Sequence, residues 1–298
     1  MNKVTKILFL GTSDFAVPAL QALVDSGYEV VGVVTVPDKP VGRKKLVTPP
    51  PVKVLAHKYN LQIFQPEKLK ENDELLKQLL TLDSTIGVTV AYGKIIPEEL
   101  LGLPKLGVIN IHPSLLPKYR GPSPIQTALL NGDKETGVTI MQVDAQVDHG
   151  AILAQEKMVI EKNDNYSSLQ TKLAKTGANL LISTLLRYLS TELKPQAQNE
   201  SKATFTKIIK TEDGEIAESE SVEQALNKIR ALNPEPGTYT IINGKRLKIL
   251  EARPTTDLTK PILHLTDGAI EFLKVQSDGG RPMSGQDWRN GQKSKILY

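Results

Sequence analysis

The sequence predicts an α/β fold in two parts: an N-terminal parallel sheet flanked by helices, and a small C-terminal antiparallel β-barrel. Apolar runs at 6–10 and 29–35 enclose a helical pattern, as in a strand, crossover helix and parallel strand. An Asn-Gly pair at 243–244 joins two alternating segments, a strong hairpin signal. The 298 residues are enough for two domains of roughly 150 residues each.

The N-terminal part alternates strands and helices as a Rossmann-like unit does. Pro18 fits only in the first turn of the helix that follows the first strand. The Gly-x-Gly-x-x-Gly motif is missing after that strand, so the sequence does not indicate a dinucleotide cofactor. The later elements are predicted as strands at 61–64, 85–90, 106–109, 137–144 and 151–154 and helices at 54–58, 67–82, 124–131 and 166–189.

The C-terminal part follows a polar segment, residues 193–206, which is rich in Lys, Gln, Asn, Ser and Pro and is predicted to be a linker. One helix and several short strands come after it, the last strand near Trp288. This pattern is typical of a small OB-like β-barrel. The predicted domains are therefore 1–192 and 207–298.

The composition is that of a globular protein, with 40% hydrophobic and 23% charged residues. No apolar run approaches the roughly 18 residues of a membrane helix, and the N-terminus lacks the pattern of a signal peptide. Cysteine is absent, and the four histidines lack metal-ligand spacing, which argues against disulfides and a zinc site. We expect a cytoplasmic enzyme that requires no metal and no membrane.

The most informative polar residues are Asn110 and His112, which follow the strand predicted at 106–109. Their spacing of two places both side chains on one side of the strand, at an edge where α/β proteins bind ligands. An amide donor beside an imidazole suits a reaction that develops negative charge on oxygen. Considered alone, such a His is more often structural, and such an Asn is more often a turn former.

Two further features favour a functional site. The turn after His112 is apolar, Leu115-Leu116, and lies between two prolines; exposing it is costly unless it lines a pocket. A carboxylate, Asp148, follows another alternating strand and precedes Gly150.

Three motifs together resemble the signatures of the folate-dependent formyltransferases. They are Asn-x-His-x-Ser-Leu-Leu-Pro at 110–117 with Tyr-Arg-Gly at 119–121, Gly-Val-Thr-Ile-Met-Gln-Val-Asp at 137–144 with Asp-His-Gly at 148–150, and Ala-Tyr-Gly-Lys-Ile-Ile-Pro at 91–97. The resemblance extends from about Lys6 nearly to the C-terminus. It implies transfer of a formyl group from 10-formyltetrahydrofolate to an amine, without a metal.

The resemblance also implies roles for single residues. Asn110 and protonated His112 would stabilise the oxyanion, and His112 would then protonate the leaving folate nitrogen. Asp148 would stabilise the charged imidazole and take up the amine proton through water. The folate-binding positions implied are Ser114, Leu115, Leu116, Pro117, Tyr92 and Gly93, of which the last two would act through backbone groups.

The acceptor is indicated by a long basic loop, residues 38–53, which contains Arg43, Lys44 and Lys45. Considered alone, a short basic run is weak evidence of a binding site and is often solvated. Family members that formylate methionyl-initiator tRNA carry a similar loop that reaches into the acceptor end. The resemblance therefore implies that these three residues bind tRNA, and that the C-terminal barrel contacts it. From Ala225 onward, 12 Lys and Arg outnumber 7 Asp and Glu. This positive surplus supports weak electrostatic binding of RNA.

Two departures from the family pattern and several alternative functions stay open. His149 replaces a small residue between Asp148 and Gly150, and Ala217-Glu218 stands where Asp-Trp is frequent. The acceptor is alternatively an amino-sugar nucleotide, glycinamide ribonucleotide or water, and a non-catalytic RNA-binding module is a further alternative. The basic loop argues against the sugar and glycinamide acceptors, and the intact Asn, His and Asp set argues against a binding module. We expect a monomer.

Overall fold

The structure is a computed structural model that describes residues 5–42 and 45–292. The strands are β1 Lys6–Gly11, β2 Glu29–Val34, β3 Lys39–Val41, β4 Leu46–Thr48, β5 Ile63–Phe64, β6 Ile86–Val90, β7 Val108–His112, β8 Glu135–Gln142, β9 Ile152–Val159, β10 Tyr239–Ile242, β11 Lys245–Thr255, β12 Ile262–Leu265, β13 Gly268–Ser277 and β14 Met283–Ser284. The helices are α1 Val17–Asp25, α2 Pro51–Lys58, α3 Asp73–Leu80, α4 Glu98–Leu101, α5 Pro124–Leu130, α6 Tyr166–Leu189, α7 Val222–Leu232 and α8 Gly285–Gly291.

The larger sheet confirms the predicted Rossmann-like fold. Within the described residues it has seven strands in the order β5-β2-β1-β6-β7-β8-β9. The pairs from β5 to β7 are parallel, whereas β8 and β9 are antiparallel additions at one edge. Every residue of β6 is buried, as expected for a central strand covered on both faces. This order brings β7 next to the antiparallel pair, with Ile109 opposite Gln142 and His112 opposite Thr139.

The C-terminal sheet is antiparallel, in the order β10-β11-β13-β12, with β14 paired to β13 in the described part of the chain. The Asn243-Gly244 turn joins β10 to β11 as predicted, with φ values of 50° and 73°. Side chains of β11 and β13 pack against α7 in one apolar cluster, in which Ile249, Ile270 and Phe272 are almost fully buried. The OB-like prediction is confirmed.

The end of this sheet differs from the prediction. Trp288 lies in the helix α8 and not in a strand. The Ser284 hydroxyl accepts a hydrogen bond from the Asp287 N–H at the start of α8, which is the usual chemistry of a helix N-cap. The Trp288 ring then packs edge-on against Phe272 at 6.0 Å. A cap and a buried aromatic therefore favour helix over strand here.

The predicted loop at 38–53 is in part regular structure. β3 and β4 pair in an antiparallel hairpin, with Lys39 opposite Thr48, and α2 already begins at Pro51. Lys45 is exposed in the turn, with φ 49°. Arg43 and Lys44 lie outside the described residues.

Several boundaries also differ from the predictions. α3 begins at Asp73 and not at 67, because the side chain of Asn72 caps it by accepting the Leu75 N–H. Pro124 starts α5 as expected, but the predicted cap, Ser123, makes no side-chain cap bond. β7 extends through Asn110 and ends at His112. The predicted strand at 106–109 was therefore placed about two residues too early.

The chain divides into two compact units. The first includes the described residues within Met1–Gly121, Glu135–Val159 and Gln170–Phe205, and the second those within Pro122–Lys134, Ile160–Leu169 and Thr206–Tyr298. In the second unit α5 packs on α7. The domain boundaries predicted from sequence, 1–192 and 207–298, differ from the limits of these two units and stay a prediction.

The segment 193–206, predicted as a linker, is hydrogen-bonded within the first unit over most of its length. Gln196 exchanges two backbone hydrogen bonds with Ile152, and the Thr204 carbonyl accepts the Arg120 N–H. Among the described residues, no helix has the length and apolarity needed to cross a membrane.

Candidate active site

His112 lies at the C-terminal end of β7 with both ring nitrogens facing oxygen atoms. It is 4% exposed. Nε2 is 2.9 Å from the carbonyl oxygen of Tyr119, and Nδ1 is 3.5 Å from Oδ1 of Asp148. A carbonyl oxygen can only accept, so the proton of the first bond belongs to Nε2. A second proton on Nδ1 would face the carboxylate, and the charged imidazolium therefore suits both partners.

Asp148 accepts a backbone hydrogen bond with its carboxylate, and its own backbone has a left-handed conformation. Oδ2 accepts the Gly121 N–H at 2.8 Å, and the side chain is 14% exposed. Its φ of 51° is in the left-handed region, which Asp tolerates better than most residues. The structure thus brings the two predicted catalytic groups together, although they are 36 positions apart in the sequence.

Asn110 provides a polar group that is not otherwise engaged. It is two residues before His112 in β7, so the two side chains emerge on the same side of the sheet. Asn110 is half-buried. Its side-chain amide makes no hydrogen bond with any other described residue. Its N–H₂ group is therefore free to donate to a bound molecule.

The turn after His112 is held by a hydrogen bond of its own and by Thr139 of β8. The buried hydroxyl of Ser114 donates to the Lys118 carbonyl at 2.6 Å. The Thr139 hydroxyl donates to the Ser114 carbonyl and accepts the Leu116 N–H. Ser114 is consequently occupied inside the turn and offers no free hydroxyl. The groups that the turn can present to a ligand are the half-buried side chains of Leu115 and Pro117.

The second predicted folate-binding segment, Tyr92-Gly93, can present only backbone groups to a ligand. The Tyr92 side chain belongs to the apolar core with Leu8 and Leu100, and burial raises its pKa to about 12. The Tyr92 carbonyl accepts the Thr12 hydroxyl at 2.8 Å. Gly93 follows with φ 80° and has open space where a Cβ would be.

Sequence reasoning assigned no role to Arg120, a buried cation between Tyr119 and Gly121. Arg120 is 2% exposed. Its guanidinium donates to Oε1 of Gln198 and to both carboxylate oxygens of Glu200, and it lies 5.9 Å from the Phe205 ring centroid. Hydrogen bonds from Arg120 hold the pKa of Glu200 below its usual range. The Tyr-Arg-Gly motif marked Arg120, but nothing in the polar segment marked Gln198.

The non-family residue His149 lies outside the reacting pair. Its Nδ1 is hydrogen-bonded to Oδ2 of Asp144 at 2.6 Å, and its Nε2 is 3.6 Å from Oε1 of Glu200. These residues line a cavity of about 600 Å³. Among the described residues, no group of three or more His, Cys, Asp and Glu side chains is arranged to hold a metal ion.

A cavity of about 1350 Å³ belongs to the second unit and is lined mainly by 160–167, α7 and β11. His112, Asp148 and Asn110 line neither this cavity nor the smaller one. We place the site by its reacting groups, because a concave surface without convergent polar groups does not identify a reaction.

Comparison with known proteins decides the family. Residues 5–185 match the family model "Formyl transferase", and residues 208–293 match "Formyl transferase, C-terminal domain". This chain belongs to the formyl transferase family. The prediction made from its three motifs is thereby confirmed. Both matched segments agree with the two-part architecture.

A sequence relative and two solved structures extend the comparison. The chain is 43% identical over 305 residues to the methionyl-tRNA formyltransferase of Caldicellulosiruptor saccharolyticus, covering 97% of each chain. Two solved structures share the fold. HypX from Aquifex aeolicus in complex with tetrahydrofolic acid has a TM-score of 0.70 at 15% identity, covering 99% of this chain and 48% of that one. An N-formyltransferase from Helicobacter canadensis, in complex with folinic acid and dTDP-3-aminofucose, has a TM-score of 0.67 at 20% identity, covering 94% and 98%.

Proposed function

We propose that Asn110, His112 and Asp148 transfer the formyl group of 10-formyltetrahydrofolate to the amino group of methionyl-initiator tRNA. The activity is that of the methionyl-tRNA formyltransferases, to one of which the chain is 43% identical. One observation carries the assignment of residues. His112 has Asp148 at one ring nitrogen, and an unengaged amide, Asn110, projects on the same side of the strand.

The bond changes are those of acyl transfer. The neutral amine of the methionyl group attacks the formyl carbon, and the carbonyl electrons move to oxygen. Asn110 donates a hydrogen bond to that oxyanion. When the oxyanion collapses, the bond between the formyl carbon and N10 of the folate breaks, and N10 leaves with the bond electrons.

The protons balance within the pair. Asp148 receives the amine proton through water, and His112 gives a proton to N10. Nδ1 faces Asp148, so the proton donated is the one on Nε2, which the Tyr119 carbonyl now accepts. Bound substrate must compete with that carbonyl. Nδ1 keeps its own proton toward Asp148, so the two groups are restored through solvent: Asp148 releases the proton it received, and Nε2 of His112 takes one up.

The folate would be bound by shape and by backbone groups. The turn at 113–117 presents apolar surface, and its own hydroxyl is internally bonded. Gly93 leaves room for a ring to approach the chain. Ser114 and Tyr92 would therefore act by fixing these segments in place.

The tRNA would be bound by Lys45 in the turn of the β3–β4 hairpin, by Arg43 and Lys44, which precede it in the sequence, and by the second domain. Lys45 is exposed there, as are the neighbouring Leu46 and Val47. We also propose that the protein is cytoplasmic. We propose a monomer, since Asn110, His112 and Asp148 all come from one compact unit of one chain. Light scattering should give a mass near 32.7 kDa.

The central test is Asp148→Asn. We expect kcat to fall by more than tenfold, on the scale of general acid-base catalysis. The fold should persist, because the amide oxygen can still accept the Gly121 N–H and Asn tolerates positive φ. Asp144→Asn, in the same turn, is the matched control and should keep most of the activity. Near-normal turnover of Asp148→Asn would remove this residue from the mechanism.

The acceptor is tested by supplying labelled 10-formyltetrahydrofolate with charged initiator tRNA, charged elongator tRNA, free methionine or an amino-sugar nucleotide. Transfer to charged initiator tRNA alone is expected. Release of formate without an amine acceptor would indicate hydrolysis of the folate. A formylated sugar would indicate that the acceptor is an amino-sugar nucleotide.

A further inference from the structure

We propose that Gln198 is a positioning residue for Asp148, and that the buried Arg120 orients it. The proposal rests on the proposed function of Asp148. Nε2 of Gln198 donates to the backbone carbonyls of Asp148 and Gly150, at 2.9 and 2.8 Å. The same amide therefore holds the main chain on both sides of His149.

Arg120 decides which way the Gln198 amide faces. Its Nε and Nη2 donate to Oε1 of Gln198 at 3.0 and 2.8 Å. A guanidinium has no acceptor, so the oxygen of the amide must face Arg120 and the N–H₂ group must face the two carbonyls. Every polar atom of this side chain is then used, and the amide has one permitted orientation.

The turn that carries Asp148 needs such a partner. Asp148 has φ 51°, and a left-handed residue outside glycine persists only when its surroundings determine it. A Cβ at Gly150 would overlap the Gln142 carbonyl, so the turn is also pressed against β8. Gln198 supplies hydrogen bonds to this strained backbone from a different part of the sequence.

Arg120 also lies between the two backbone groups that contact the catalytic pair. The Tyr119 carbonyl accepts from His112, and the Gly121 N–H donates to Asp148. The Arg120 backbone is fixed in turn by its N–H bond to the Thr204 carbonyl. Arg120 and Gln198 thus set the distance between His112 and Asp148 from both sides.

The experiment compares Gln198→Ala and Gln198→Glu with the matched control Gln196→Ala. Gln196 is in the same segment, and its hydrogen bonds to Ile152 are made by the backbone alone. We expect Gln198→Ala to lower kcat about tenfold, because a misplacement near 1 Å can cost up to about 10²-fold. KM for folate and for tRNA should change less than threefold, and Gln196→Ala should match the wild type.

Gln198→Glu keeps the volume and the bond to Arg120 but places an acceptor against two carbonyls. We expect it to be at least as slow as the alanine variant. It also decides the matter if Gln198→Ala fails to fold. A role in packing alone would leave this isosteric variant active, and full activity of Gln198→Glu would overturn the proposal.

A double-mutant cycle with Asp148→Asn separates the proposal from the proposed function. If Gln198 acts through Asp148, Gln198→Ala should cost less than twofold in the Asp148→Asn background. An undiminished tenfold cost there would overturn the positioning role while leaving Asp148 catalytic. Normal turnover of Asp148→Asn itself would instead overturn the catalytic assignment on which the proposal rests.

Discussion

At the scale of single residues, the candidate site depends on which polar atoms are already satisfied. Both nitrogens of His112 face oxygens of the protein, and the Ser114 hydroxyl is used within its turn. The amide of Asn110 is half-buried and unengaged. A donor held in place without a protein partner is what stabilisation of an oxyanion requires.

We therefore expect Asn110→Ala to lower kcat by about 10²–10³-fold, the usual cost of removing one oxyanion donor. The free energy of unfolding should change by less than about 1 kcal/mol, since no intramolecular side-chain bond is lost. Steady-state kinetics and urea unfolding measure the two effects. A kcat within twofold of the wild type would exclude Asn110 from the chemistry.

Tyr92→Phe tests whether only the backbone of this segment serves the site. The Tyr92 hydroxyl is buried without a hydrogen-bond partner among the described residues, so its removal should raise the free energy of unfolding by about 1 kcal/mol. Turnover and KM for folate should not change. A several-fold rise in that KM would show that the hydroxyl is needed.

Tyr92→Phe should also change how the free energy of unfolding depends on pH. Burial raises the pKa of Tyr92 from 10.0 to about 12, so the folded protein disfavours ionisation more than the unfolded chain does. The ionisation of Tyr92 therefore leaves the free energy of unfolding unchanged below pH 10 and lowers it as the pH rises from 10 to 12. Unfolding measured across this range should show a smaller decline for Tyr92→Phe than for the wild type.

At the scale of elements, the hairpin β3–β4 and the strand β7 have separate tasks. β7 fixes Asn110 and His112 at two-residue spacing inside the sheet. The hairpin instead presents exposed residues, with Lys45 in its turn and Leu46 and Val47 just after it. Positive charges on such a hairpin would bind phosphates of any nucleotide sequence. They would contribute affinity for RNA but no base specificity.

Replacing Arg43, Lys44 and Lys45 together by Ala should weaken binding of methionyl-tRNA without lowering kcat at saturation. Each lost phosphate contact removes roughly 0.7–0.9 from the slope of log affinity against log salt, so the slope should fall by about 2. The exposed Lys68 and Lys70 provide a control double variant. An unchanged salt slope would contradict tRNA binding by the hairpin.

At the scale of the whole molecule, the two compact units alternate along the chain. Pro122–Lys134 and Ile160–Leu169 are counted with the C-terminal residues. Within that second unit α5 buries Ile125, Ala128 and Leu129 and packs on α7. The guanidinium of Arg230 also donates to the carbonyls of Lys162 and Asp164.

A fragment ending at residue 206 should consequently be less stable than the full chain. Exposing Ile125 and Leu129 costs about 1.5–3 kcal/mol for each side chain, which corresponds to a Tm lower by roughly 5 °C or more. Thermal unfolding and limited proteolysis around 122–134 would measure this. An unchanged Tm would instead favour independent domains at the boundaries 1–192 and 207–298.

The fold class was predictable from the sequence because its signals are local. Continuous apolar runs predicted the buried parallel strands, and Asn243-Gly244 predicted the hairpin of the second sheet. The errors were local too, since capping by Asn72 and Ser284 decided where α3 and α8 begin.

The sequence by itself determined the α/β and OB-like architecture, the family and the identity of the candidate reacting residues. Tertiary structure alone decided which groups are free to react. It turned the Ser114 hydroxyl and the Tyr92 ring inward, and it brought Gln198 to the Asp148 turn across 50 residues of chain. The physical reason is that hydrogen-bond satisfaction is a property of three-dimensional neighbours, and sequence spacing does not report it.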